Sequence, residues 1–174
     1  FVTPSGMPYE DLELDDIVVF NNQGEKIEGD RKASIEAILH ITIYQNRDDV
    51  NAIVHTHPTY STVFGITEER IPPITEDFVQ IAGKEVVCAD YALPGTKDLA
   101  ENAVKGLGDN NAVLLKNHGT VCVGPDMDFA FNISDVVEKA AYIYLLSQNL
   151  GEPRLIPDDD VKAMQDFVKN EYGQ

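Results

Sequence analysis

What most constrains this chain is the alternation of short strand-like apolar runs with stretches of helical period, cut by Gly and Pro. Residues 112–116 (AVLLK) are a strand that runs into Asn117-His118-Gly119, and residues 120–123 (TVCV) form the strand that follows. Residues 51–57 (NAIVHTH) are a strand ending at Pro58, and residues 85–88 are another. A short strand over 16–21 (DIVVFN) meets the turn Asn22-Gln23-Gly24, which returns the chain antiparallel. Apolar spacing of three and four over 35–44 predicts a helix with Ser34 at its N-cap. Residues 59–64 start a second helix, and Pro94-Gly95-Thr96 leads into an amphipathic one over 97–107. A long helical pattern over 128–150 is ended by Gly151 and Pro153, and 158–172 is the final helix. Ile71-Pro72-Pro73-Ile74 is a rigid extended loop. No repeat, low-complexity tract or linker divides the pattern, so the expectation is one mixed α/β domain over 1–174.

The chain is long enough, with 174 residues of which 43% are hydrophobic, to build a core without disulfides. Cys88 and Cys122 sit among apolar residues and read as reduced thiols in strands. Thirty Asp plus Glu against 13 Lys plus Arg give a net charge of -17, which disfavours nucleic acid and anionic membrane surfaces as partners. No apolar run approaches the roughly 20 residues of a membrane span, and the start of the chain lacks the features of a signal peptide. The default location is therefore the cytoplasm. The chain starts at Phe1 without an initiator Met, and a segment upstream is expected in the natural protein.

Three of the four histidines lie at the ends of expected strands. His55 and His57, two apart in a strand, point to the same face and make a natural pair of metal ligands. Such a pair alone is equally a pair of surface or hydrogen-bonded histidines. His118, at another strand end and beside Gly119, supplies a third donor, the number that catalytic zinc sites favour. Spacing alone reads Glu36 as a first-turn glutamate facing solvent, favoured there by the helix dipole. It reads His40, one turn later, as a packed histidine on an Ile- and Leu-rich helix.

Taken in order, the runs S-x-E-x-x-x-H (Ser34 to His40), V-x-A-I-V-H-T-H-P (Val50 to Pro58), Y-x-x-P-G-T (Tyr91 to Thr96) and A-V-L-L-K-N-H-G (Ala112 to Gly119) resemble the class II aldolase/adducin family. Val137-Glu138-Lys139-Ala140-Ala141 continues the resemblance, which covers nearly the whole chain. It implies a three-layer α/β/α fold with a central, largely antiparallel sheet, assembled as a homotetramer. It also implies one Zn²⁺ per subunit, held by Glu36, His55, His57 and His118, against the solvent-facing reading of Glu36. The implied activity is cleavage of a sugar phosphate, L-fuculose 1-phosphate or a similar deoxyketose 1-phosphate, to dihydroxyacetone phosphate and an aldehyde. Glu36 would move the proton at the enediolate carbon, and Tyr172, reaching a neighbouring subunit, would act at the aldehyde oxygen. Ser5-Gly6 and Ser34-Ile35 match parts of the family's phosphate cradle.

The chain departs from the family in three places. Ile35 stands where a second hydroxyl residue is usual, the upstream Gly-Asn loop has no counterpart before Phe1, and Glu76 aligns near the family's active-site tyrosine. These differences bear on the sugar, not on the metal. The alternatives are 4-epimerisation of L-ribulose 5-phosphate, with Asp77 as its acid/base, dehydration of methylthioribulose 1-phosphate, or an adducin-like interaction domain without metal.

Overall fold

A computed structural model describes residues 1–170. The chain runs through 3₁₀ turns at Tyr9–Asp11 and Leu14–Asp16, β1 (Val19–Phe20), β2 (Lys26–Glu28), α1 (Ala37–Asn46), β3 (Ala52–Thr56) and α2 (Thr59–Thr67). It continues through α3 (Glu76–Ile81), β4 (Cys88–Ala89), α4 (Lys97–Leu107), β5 (Ala112–Leu115), β6 (Gly119–Gly124), α5 (Met127–Ser147) and α6 (Asp158–Asn170). The main sheet has the order β3-β6-β5-β4, antiparallel except where β4 pairs with β5.

Every residue of β5 and β6 is buried, because both faces of the sheet are covered by helices. The period-two alternation of side chains divides the core in two. Val113, Leu115, Val121, Val123 and Ile53 face α1 and α4, meeting Leu39, Ile43, Leu99, Ala103 and Leu107. Ala112, Leu114 and Cys122 face the other way, against Phe64 of α2, Phe78 and Val79 of α3, Ile133 and Val137 of α5 and Val161 of α6. Burying each of the larger side chains contributes about 1.5–3 kcal/mol. The result is the expected three-layer α/β/α arrangement around a largely antiparallel sheet. No helix among the described residues is long and apolar enough to cross a membrane.

Local differences from the sequence expectation have physical causes. The strand over 16–21 shrinks to β1 because residues 14–16 form a 3₁₀ turn. Glu13 and Asp16 cap that turn, and Arg31 pairs with Asp16 at 2.7 Å. The turn after it forms as expected: Asn21 Oδ1 accepts from the N–H groups of Gln23 and Glu25, and Gly24 adopts φ 81°. The strand over 85–88 is a single bridge between Ile71 and Val86 followed by β4. Helix α3 was not expected; six residues carry no readable period, and the buried Phe78 and Val79 hold it from outside. Helix α1 starts at Ala37 rather than Ile35, with Glu36 at its N-cap. Ser34 still accepts from the Glu36 N–H at 3.2 Å, one turn earlier than the helix proper.

Candidate metal centre

Strand β3 lies beside β6 in the register His55↔Val121 and Thr56↔Thr120, so its end reaches the β5–β6 turn. That turn carries His118, whose N–H donates to the Leu115 carbonyl at 3.0 Å. It closes through Asn117 at φ 55°, a left-handed conformation that Asn tolerates better than most residues. Gly119 follows of necessity: a Cβ there would overlap the Thr56 carbonyl oxygen and come within 2.7 Å of His57 Cδ2. His55 shares its face of β3 with Ile53, the face covered by α1, and Glu36 at the start of α1 meets it there.

One ligand atom from each of Glu36, His55, His57 and His118 lies within 4.8 Å of all the others. The three imidazole centroids are 4.8, 4.9 and 5.0 Å apart. Glu36 is only 7% exposed, so the solvent-facing reading from spacing does not hold. Its Oε2 is 2.7 Å from His55 Nε2 and its Oε1 is 3.4 Å from His118 Nε2.

Hydrogen bonding fixes how the histidines present themselves. His55 Nδ1 lies 2.9 Å from the Thr120 carbonyl oxygen. A carbonyl can only accept, so Nδ1 carries the hydrogen, and in the neutral ring Nε2 is left with a lone pair toward Glu36. Glu36 Oε1 and His55 Nε2 are buried without a hydrogen-bond partner among the described residues. Buried polar atoms left this way are costly unless something satisfies them, and a cation among these four side chains would do so.

The titration behaviour points the same way. Burial pushes the His57 and His118 imidazoles below the ordinary value; neighbouring His55 adds to this, and Glu36 partly opposes it. Burial by itself would raise the Glu36 carboxyl, but contact with His55 and the fields of His118 and His57 leave it below the usual range. Neutral imidazoles with one ionised carboxylate form a suitable donor set for a divalent transition-metal ion.

The other expected residues fall as follows. The Thr3–Ser5 segment pairs with residues 32–34 through the Pro4↔Ala33 bridge, which sets Ser5 and Gly6 on a chain segment adjoining Ser34. Ile35 is 59% exposed, and Gly95 of the Tyr91-to-Thr96 loop approaches its carbonyl oxygen so closely that a Cβ would lie 3.0 Å away. Asp77 is engaged by Lys139 and by the Phe78 N–H, and Glu76 is exposed. Tyr172 lies outside the described residues. His40 is partly buried on α1, as expected of a packed histidine. Sequence reasoning missed two contacts: the Thr120 carbonyl that orients His55, and the bonds by which Glu138, named only within a motif, accepts from the start of α2. Both act across long sequence separations that no local motif records.

The profile of the family "Class II Aldolase and Adducin N-terminal domain" matches residues 1–145. The chain belongs to this family. It is 37% identical over 173 residues to 5-deoxy-D-ribulose 1-phosphate aldolase of Bacillus thuringiensis serovar kurstaki, covering 99% of this chain and 80% of that one. It is 32% identical, over the same shares of the two chains, to L-fuculose phosphate aldolase of Escherichia coli K12. A solved structure of an L-fuculose 1-phosphate aldolase superposes with a TM-score of 0.93 at 42% identity, over 96% of this chain and 78% of that one. This family member is accordingly a metal-dependent lyase acting on a sugar phosphate. The Glu/His cluster and the family together indicate a divalent metal ion.

Proposed function

We propose that this aldolase uses zinc to cleave L-fuculose 1-phosphate, or a similar deoxyketose 1-phosphate such as 5-deoxyribulose 1-phosphate, to dihydroxyacetone phosphate and an aldehyde. The observation that carries the reading is the convergence of Glu36, His55, His57 and His118, with Glu36 Oε1 and His55 Nε2 buried and unpartnered. These four residues would hold the ion. When bound, it supplies Lewis acidity that stabilises negative charge on the ketose oxygens.

The protein's own groups handle the protons. Breaking the C3–C4 bond removes the proton of the C4 hydroxyl and requires one to be delivered to C3. Glu36, buried beside the histidines, is the group assigned to the C3 proton. Tyr172 is assigned to the C4 oxygen. The Ser34 hydroxyl accepts from the Glu36 N–H, which leaves its own hydrogen to donate to phosphate. The Ile35 backbone and the adjoining Ser5-Gly6 segment complete the proposed cradle.

The names of the relatives support a deoxyketose 1-phosphate over the epimerase alternative, L-ribulose 5-phosphate. So does Asp77, whose carboxylate is engaged by Lys139 and the Phe78 N–H. A homotetramer is part of the proposal and is supported by the exposed apolar residues Met127, Phe131, Tyr142 and Leu146 along α5. The test is a panel of L-fuculose 1-phosphate, 5-deoxyribulose 1-phosphate and L-ribulose 5-phosphate with the zinc-loaded protein. Dihydroxyacetone phosphate should appear from at least one of the first two. Formation of D-xylulose 5-phosphate from the third, with no dihydroxyacetone phosphate from the others, would establish the epimerase instead.

A further inference from the structure

Helix α2 begins two residues after His57, and nothing local caps it. Its N-cap is Pro58, which makes no side-chain cap hydrogen bond, and its first turn holds no acidic residue. The cap comes instead from Glu138, in the middle of α5. Glu138 Oε1 accepts from the Tyr60 N–H at 2.8 Å. Its Oε2 accepts from the Ser61 N–H at 2.8 Å and from the Ser61 hydroxyl at 2.7 Å. A carboxylate on three donors at a helix N-terminus is a strong anchor, and Ser61 is fully buried beneath it.

The anchor fixes a corner that the site depends on. His55 is held directly, through Nδ1 and the Thr120 carbonyl. His57 has no such hold: among the described residues its ring contacts the other two histidines, at centroid distances of 4.8 and 5.0 Å, and accepts or donates no hydrogen bond. Its position therefore follows from the backbone between β3 and α2. Thr56 on the opposite face of β3 is also held to α5, its hydroxyl 3.2 Å from that of Ser134, one helical turn before Glu138. Helix α5 thus grips the chain on both sides of His57.

We propose that Glu138 is a positioning residue for His57, acting through the N-terminus of α2 and never touching the metal or the substrate itself. This rests on the metal-site reading above, and Co²⁺ as a probe separates the two. Wild-type protein should take up one Co²⁺ with visible absorption bands of a protein-bound ion; if it binds none, the metal-site reading fails. Glu138→Gln keeps the size of the side chain but replaces one accepting oxygen with a donor facing the α2 amides. It should weaken Co²⁺ binding by roughly 10-fold or more and shift the visible bands, as changes behind a metal ligand do.

Ser61→Ala removes one of the three hydrogen bonds and should weaken Co²⁺ binding roughly 3- to 10-fold. It decides the matter if Glu138→Gln does not fold. A lower melting temperature alone is what a merely structural cap would give. Wild-type Co²⁺ affinity and spectrum in folded Glu138→Gln, or in Ser61→Ala where the former does not fold, would overturn the proposal.

Discussion

In the proposed function Glu36 carries two duties, as metal ligand and as proton carrier, that a single substitution can pull apart. Its oxygens face His55 Nε2 and His118 Nε2, and it is almost wholly buried. Glu36→Gln leaves three imidazoles for the ion but removes the group assigned to the C3 proton. We expect zinc to stay bound while turnover falls by about 10²- to 10⁴-fold. Exchange of the C3 hydrogen of dihydroxyacetone phosphate into D₂O, followed by NMR, checks this; wild-type exchange would remove Glu36 from the chemistry.

His40 lies on the same helix and does something different. Burial, with His55 nearby adding to it and Glu36 opposing it, pushes its imidazole down to about 4. An unfolded chain titrates its histidines near 6.5. Between those values the unfolded chain binds the proton and the folded one does not. The stability His40 contributes is thus complete above about pH 6.5 and is lost as the pH falls toward 4, on the order of 3 kcal/mol in all. In chelator-treated protein, His40→Gln should flatten the loss between pH 7 and pH 5 in urea unfolding. An unchanged slope would contradict this.

At the scale of elements, Asp126 and Glu138 both cap helix N-termini and should behave differently when removed. Asp126 accepts from the Phe129 N–H at 2.8 Å and caps α5 locally. Asp126→Ala should cost about 1 kcal/mol in denaturant unfolding and leave metal affinity alone; a loss of metal affinity equal to that of Glu138→Gln would contradict the distinction. Only the first cap could be read from the sequence, because Asp126 is three residues from its partner, whereas Glu138 is 77 from Ser61. The same contrast explains which elements were foreseen. Helix α4, 97–107, has Thr96 as its cap and a regular apolar stripe, and it formed with the expected bounds. Helix α3 exists because Phe78 and Val79 are fully buried against other elements, a tertiary cause with no period to betray it. His55 and His57 were legible because a strand puts alternate residues on one face, and His118 because it stands at another strand end beside Gly119. The burial of Glu36 was not, since it depends on how α1 docks on the sheet; the family resemblance supplied it.

For the whole molecule, the sheet ends and the start of α1 meet only in the folded state, so ion binding at these residues would be linked to folding. Zinc at 100 times its dissociation constant should stabilise the protein by about 2.7 kcal/mol, and chelation should remove that increment. The effect should fade on acidification, because the histidines must be neutral to bind an ion; burial, which lowers His57 and His118 from the ordinary value, favours that neutral form. Zinc content after equilibrium dialysis at pH 7 addresses the central claim most directly. Wild-type protein should retain one zinc per chain and His40→Gln should match it, while His55→Ala and His118→Ala should each lose most of it. Full zinc content at unchanged affinity in both alanine variants would contradict the four-residue metal centre.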